Sequence, residues 1–469
     1  MAIEEHPEQV QTDRQRRRAE IRNVIAMAVP VVITTSSRAL MDIADYTMIT
    51  GLKSGEAQAA ILPAQLMVWS YIVFGLGVVS MVSTFASQSM GRGEYRECSA
   101  YAWQSIYMAG AVGVIALAVR PTLPMMIGLI GHEPAVQQME LAYSRVALLT
   151  VWPTLAAMGV GWFFVGIHRP WITTWSVIEA NGVNVVVSYI LIFGHLGFEP
   201  MGIAGAAWGT MVGVCYRITR LTLTLVTPSL AEKFSSRATW KPSWVKLKEL
   251  FRLGVPCGLH WVSEVIVWAI FVNVLVGTKF GTVDLIATSI AWQYMRIAFL
   301  PTIGVGQALT ALVGKSIGAG DPERAVRETR IVSVITLAYM GSLSLIYWLG
   351  GAKLIGLFNS DSQVVEIGAK VMICAAVFQL FDAIGISYNS ALRGAGDTFV
   401  PSVFFIISTW IIIIGGGWLA VVMYPQLGSL GPWLASSSFI AISAVFLWWR
   451  WHGRAWMRIK IFAKDRKAG

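Results

Sequence analysis

Charge is what this chain has least of. Only 13% of its 469 residues are Asp, Glu, Lys or Arg, against about 25% in an ordinary soluble protein. With 55% hydrophobic residues and a mean hydropathy of +0.62, the shortage excludes a soluble globular class and points to a membrane protein. Cysteine is also scarce. Cys98, Cys215, Cys257 and Cys374 lie far apart with no CxxC pair, so neither a disulfide framework nor a structural zinc site is expected. The first twenty residues, MAIEEHPEQVQTDRQRRRAE, lack an apolar core. No secretory signal is therefore expected, and the N-terminus should stay in the cytoplasm. No nucleophile and base, and no metal cluster, occur at usable spacing, so neither an enzyme nor a cofactor is expected.

Long apolar windows fill what remains. They recur twelve times, at 23–50, 58–84, 101–120, 136–166, 171–195, 202–226, 250–278, 283–311, 329–357, 364–392, 399–423 and 428–451, each long enough for a membrane-crossing helix. The predicted fold is an all-α integral membrane protein of twelve spans. The net charge of +10 gathers at Arg14 to Arg22, Lys233 to Arg252, Lys315 to Arg330 and Arg450 to Lys467. Those clusters fall at every second break between spans, a positive-inside pattern rather than a nucleic-acid footprint. Both termini are expected in the cytoplasm, the chain being monomeric in the plasma membrane.

The chain also repeats itself. Val29-Pro30 and Ser89-Met90-Gly91-Arg92-Gly93-Glu94 in the first half match Val255-Pro256 and Ser316-Ile317-Gly318-Ala319-Gly320-Asp321 in the second, at offsets of 226 and 227 residues. Met201-Gly202-Ile203-Ala204-Gly205 and Leu427-Gly428-Ser429-Leu430-Gly431 add a third match at 226. Six spans per half give both copies one orientation, so their symmetry axis should run along the membrane normal with a central cavity between two lobes. The expected organisation is a tail at 1–22, an N-lobe at 23–226, a linker at 227–249, a C-lobe at 250–451 and a tail at 452–469. The Gly-x-Gly turns at Gly91, Gly318 and Gly394 follow no strand and continue into no GK[ST]. They read as helix C-caps rather than phosphate loops.

One stretch carries chemistry most plainly: Phe378 to Pro401, FQLFDAIGISYNSALRGAGDTFVP. Asp382 lies about 16 Å from the turn at Arg393, near the middle of a hydrocarbon layer about 30 Å thick. An intramembrane carboxylate costs at least about 2.5 kcal/mol and by default marks an ion, proton or substrate pathway. Glu264, twelve residues beyond Arg252, reaches similar depth on another helix. Two carboxylates close together in low dielectric rarely both ionise, so one should bind a proton readily. Gln379 and Asn389, at i−3 and i+7 from Asp382, extend a polar stripe that reads equally as substrate contact or helix glue. In the first half, Asp45 with Asn184 and Thr210 could bind a hard cation such as sodium, whereas Asp42 reads as the ion-pair partner of Arg38. Arg145, Glu179 and Arg296 have no partner that sequence assigns. Twenty Trp and twenty Phe could stack flat organic cations, with no single ring nameable.

From about Val24 to Trp451 the chain resembles the multidrug and toxic compound extrusion transporters. The motifs are Ala44 to Gly51 (ADYTMITG), Asn181 to Gly194 (NGVNVVVSYILIFG), Pro256 to Glu264 (PCGLHWVSE) and Phe378 to Thr398. The resemblance implies two six-helix lobes, export of organic and mostly cationic molecules, and coupling to inward sodium or proton flow. It also implies that Glu264 and Asp382 match the C-lobe acids of the NorM-like branch, and that Asp45, Asn184 and Thr210 match an N-lobe cation site. Ser188 departs from that site's pattern, where relatives often place Asp or Asn. The C-lobe pair is therefore favoured as the coupling site, with a proton ahead of sodium. The other reading is a lipid-linked precursor flippase, whose cavity would hold pyrophosphate with Arg38, Arg145 and Arg296.

Overall fold

The computed structural model describes residues 7–467. Among them every long element is a helix, and the spans are numbered here α1 to α12. The N-terminal six are α1 (Pro7–Thr50), α2 (Gly55–Gly91), α3 (Tyr95–Val119), α4 (Pro134–Gly166, with a tight turn at Leu148–Thr150), α5 (Pro170–Phe193) and α6 (Ile203–Leu225). The C-terminal six are α7 (Trp244–Thr278), α8 (Thr282–Gly318), α9 (Pro322–Gly356), α10 (Ser362–Ala395), α11 (Phe399–Met423) and α12 (Leu430–His452). Eleven are apolar enough to cross a membrane by composition. The exception, α6, has 23 residues, about 35 Å of helix; it carries Arg217 and Arg220. The helix α1 starts sixteen residues before the expected window, because a polar helix can continue past the bilayer without any hydrophobic signal.

Three cores hold the fold. One fills the N-terminal lobe around Phe85, Tyr101, Phe163 and Phe164. A second fills the C-terminal lobe around Phe271, Met372 and Trp433. The third joins the lobes, setting Val24, Met27 and Val31 of α1 against Leu309, Leu312 and Val313 of α8. It lies at the basic end, where both ends of the described chain also sit: Glu20 pairs with Arg327 at 3.0 Å and Arg454 with Glu323 at 2.7 Å.

The repeat is legible in how the lobes touch. A Cβ on Gly77 would lie 2.4 Å from the Gly258 Cα, and one on Gly304 would lie 2.8 Å from the Val32 Cα. Gly77 and Gly304 are 227 positions apart and Val32 and Gly258 226, so one contact is the symmetry image of the other. Gly91 and Gly318, also 227 apart, sit on the axis itself. A Cβ on Gly91 would come within 2.2 Å of the Lys315 carbonyl oxygen, and one on Gly318 within 2.1 Å of the Gln88 oxygen. The second glycine of each turn, Gly93 or Gly320, takes a positive φ of 75° or 76°, the left-handed cap expected there. The two glycines of each turn thus have separate duties, one capping a helix and one admitting the other lobe.

The end of α10 is part of this seal. Thr84 Oγ1 and Gln88 Nε2 of α2 donate to the carbonyls of Arg393 and Gly394, each at 2.9 Å, and Arg393 Nη2 donates to Ser80 Oγ at 2.6 Å. Asp397, just beyond, is 3% exposed and accepts from Arg450 Nε of α12 at 2.8 Å. Removing one partner of a buried ion pair strands the other, at a cost of about 3–5 kcal/mol. Asp397→Ala should accordingly lower the thermal unfolding midpoint far more than Asp361→Ala at the exposed start of α10; equal shifts would show that Arg450 finds another partner.

Beyond α12 the chain turns back. Trp456 stacks on Trp451 at 4.3 Å, and the short helix α13 (Ala463–Lys467) reaches the α2–α3 turn of the other lobe. There Asp465 takes two hydrogen bonds from Arg92 at 2.6 and 3.1 Å, Lys464 pairs with Glu94 at 2.6 Å, and buried Phe462 lies 5.6 Å from Phe85. The Arg92 hydrogen bonds, reinforced by the charges of Arg92, Lys464 and Lys460, hold the Asp465 carboxyl below its usual range. A depressed folded-state value means that this attachment is fully present above the ordinary aspartate range and weakens as pH falls through the depressed value. Protease accessibility of the tail should rise on acidification. Asp465→Asn should show the raised accessibility at neutral pH and no further acid response from this pair.

Candidate functional site

Four-residue spacing builds the C-lobe site. The helix α7 presents His260, Glu264 and Trp268 one turn apart, and α10 presents Phe378 and Asp382 likewise. His260 Nε2 lies 3.8 Å from Glu264 Oε2 and its ring stacks on Phe405 at 4.6 Å. Glu264 lies one turn from Trp268 and Asp382 one turn from Phe378, and those two rings lie 6.1 Å apart, so folding brings the acid-bearing faces of the two helices towards each other. Their access differs: Asp382 is 9% exposed, whereas the Glu264 side chain is 44% exposed. An open acid beside a sealed one can exchange one bound positive charge for another.

Trp268 bridges the two helices, 6.1 Å from Phe378 and 4.8 Å edge-on to Trp292. These rings were not singled out from sequence. Their signal was their spacing, Trp268 at i+4 from one acid and Phe378 at i−4 from the other. Gln379 is 1% exposed with its Nε2 buried and without a partner, and Asn389 is half-buried further along α10.

In the N-lobe the structure brings Asn184, Ser188 and Thr210 together. Asn184 Nδ2 donates to Thr210 Oγ1 at 3.3 Å, while Ser188 Oγ donates to Asn184 Oδ1 at 2.9 Å. Asn181 Nδ2 donates to Ser37 Oγ at 2.9 Å, and Thr174 Oγ1 donates to the Pro30 carbonyl at 2.8 Å. The helices α1 and α5 therefore run parallel, and continuing that register puts buried Asp45 at the level of Ser188. The side chain of Asp42, the expected partner of Arg38, lies outside the described residues.

The three arginines weighed for a pyrophosphate cavity have different described neighbours. Arg38 lies over Trp69 at 4.6 Å; Arg145 lines a cleft of about 380 Å³ with Arg120; Arg296 is exposed on α8. Glu179 accepts from Arg220 Nε at 3.2 Å and Tyr216 Oη at 3.1 Å. Sequence reasoning missed Arg217. Its Nε is buried without a partner, its Nη2 would lie 3.3 Å from a Cβ on Gly161, and the charge of Arg38 is felt there.

Comparison with known proteins gives one answer. The MatE family model matches residues 30–190 and 256–419, once in each half and starting at Pro30 and Pro256. A probable multidrug resistance protein NorM from Rhizobium meliloti (strain 1021) is 26% identical over 431 residues, covering 90% of this chain and 91% of the relative. A protein of the same description from Thermotoga maritima is 27% identical, with 93% and 94% covered. Among solved structures, an outward-facing multidrug resistance transporter of the MOP superfamily superposes with a TM-score of 0.84 at 20% identity, covering 94% of this chain and 97% of the other. A MOP superfamily transporter from Pyrococcus furiosus, described as having a binding pocket of reversed polarity, superposes at 0.83 with 20% identity, covering 94% and 97%. With the family model matching most of its length, this chain belongs to the MatE family of membrane transporters and is not an enzyme.

Proposed function

We propose that the protein is a multidrug efflux antiporter that carries organic cations out of the cell by alternating access, driven by an inward flow of protons. The observation that carries this reading is the meeting of the Glu264 and Asp382 helices through the Trp268 and Phe378 rings, 6.1 Å apart and each one turn from its acid. The relatives named as probable multidrug resistance proteins support the substrate class. A flat cation can lay its ring on Trp268 with its charge at Glu264, an attraction worth about 2 kcal/mol where desolvated. A proton arriving at the pair removes the negative charge that held the drug. The ion drives the cycle only through a difference in its affinity between the two conformations.

Sodium is the second candidate ion. It wants several oxygen ligands, and the described surroundings of the acids are an imidazole, aromatic rings and Gln379. A sodium ion at Asp45, Asn184 and Thr210 would share the Asn184 Oδ1 with the Ser188 hydroxyl that donates to it. By the positive-inside bias the sealed basic end is cytoplasmic, and the conformation described is then open outward. The flippase reading would need Arg38, Arg145 and Arg296 on one cavity; their described neighbours are Trp69, Arg120 and the exposed face of α8 respectively. Dye efflux from proteoliposomes, with a proton or a sodium gradient imposed separately, tests the proposal. The proton gradient alone should drive efflux; response to neither gradient would overturn antiport.

A further inference from the structure

A second cavity lies at the basic end, remote from the C-lobe acids. It has a volume of about 660 Å³ and opens on the seam between the lobes. The N-lobe contributes His168, Arg169 and Trp171, and the C-lobe contributes Lys315 and Arg324. No carboxylate lines it. Arg324 is partly neutralised by Glu328 at 2.9 Å, but neither Arg169 nor Lys315 forms an ion pair among the described residues. Closing the lobes therefore drives like charges together in one enclosed space, a cost that an anion would remove. His168 marks the interior. Its Nε2 is buried and unpartnered, and burial, then the charges of Lys315 and Arg324, push its pKa down to about 3. Burial keeps the imidazole neutral, and the cations of the opposite lobe reinforce it. Below the cations the wall is apolar, with Met27, Ile172 and Leu312, and half-exposed Trp171 stands at the rim, the residue favoured where a protein meets lipid headgroups.

We infer that this cavity binds a phosphate group, bridging Arg169 of one lobe to Lys315 and Arg324 of the other and thereby stabilising closure of the basic end. Basic pockets between membrane helices on the cytoplasmic side suit anionic headgroups, and the apolar floor matches the chain beneath such a headgroup. Free phosphate offers the same chemistry without the chain.

The test uses the delipidated full-length protein, with thermal unfolding followed as phosphatidylglycerol, phosphatidylcholine or inorganic phosphate is titrated in. Phosphatidylglycerol should protect the wild type and phosphatidylcholine should not. The double variant Arg169→Gln and Lys315→Gln should need about thirtyfold more phosphatidylglycerol for the same protection. Because that variant removes two charges at once, Asn23→Glu, at the exposed rim of the cavity, provides a milder second probe and should weaken protection in the same direction. If inorganic phosphate protects as well as the lipid, the site takes a free anion; if only the lipid protects, it takes a headgroup. Equal protection by the two lipids, or wild-type response in Asn23→Glu together with any folded double variant, would overturn the inference.

Discussion

Asp382→Asn should abolish gradient-driven efflux in proteoliposomes while leaving the protein folded. The substituted amide keeps the shape of the carboxyl and removes a group that is 9% exposed in a low-dielectric wall, so its thermal stability should equal or exceed that of the wild type. What goes is the drive. In a one-for-one exchange of a proton for a monovalent cation no net charge crosses, so one pH unit of gradient supplies about 1.4 kcal/mol, about a tenfold concentration ratio, and without a titrating group at this position that ratio collapses to one. Glu264→Gln should behave differently. Its side chain is open and adjoins Trp268 in sequence register, so it should weaken organic-cation binding about ten- to a hundredfold, the worth of one charged hydrogen bond. Binding followed by Trp fluorescence and transport followed by dye efflux separate the two effects. Undiminished gradient-driven efflux in both variants would remove the C-lobe pair from the mechanism.

Gly91→Ala or Gly318→Ala should hold the basic end open. The added Cβ would stand 2.2 or 2.1 Å from a carbonyl oxygen of the opposite lobe, and backbone cannot swing aside as a side chain can. The lobes must part by about an ångström, which at about 3 kcal/mol of overpacking moves the conformational equilibrium about a hundredfold. Within its own helix the change is tolerated, because Gly91 and Gly318 end their helices without the positive φ that would disfavour alanine. The variant should therefore unfold at a normal temperature and yet transport poorly, a pairing that an ordinary packing defect would not produce. Gly385→Ala on α10, where a Cβ meets nothing within 4 Å, is the matched control. Distances between spin labels on the basic ends of α2 and α8 should lengthen in Gly91→Ala and not in Gly385→Ala; unchanged distances in both would show that the glycine contact does not limit closure.

Much of this architecture is legible in the sequence. Windows of apolar residues separate cleanly because a helix in hydrocarbon must be continuous and uncharged, and eleven of the twelve expected spans meet that standard by composition. The repeat was visible in Val29-Pro30 and in the Gly-x-Gly turns, although the offset alone could not say that Gly91 and Gly318 meet across the axis. Asp382 and Glu264 stood out because isolated charge in an apolar run is rare. Trp268, Phe378 and Trp292 did not, because in a chain with 20 Trp a ring becomes informative only once its neighbours are known. Arg217 was hidden for a related reason: α6 carries Arg220 as well, and sequence does not tell which faces the Glu179 carboxylate and which is buried. The returning tail was least legible, since its buried contacts, Ile461 and Phe462, are two apolar residues in a basic segment.

The tail also makes the chain a ligand for itself. Because α13 is joined to α12 by a short connection, its local concentration at the α2–α3 turn is set by that tether, in the millimolar range for short flexible links and falling as about the −3/2 power of length once the span is exceeded. Lengthening the connection after Gly453 would therefore tune how long the basic end stays shut without touching a single residue of the seal, a timing element adjustable by insertion alone.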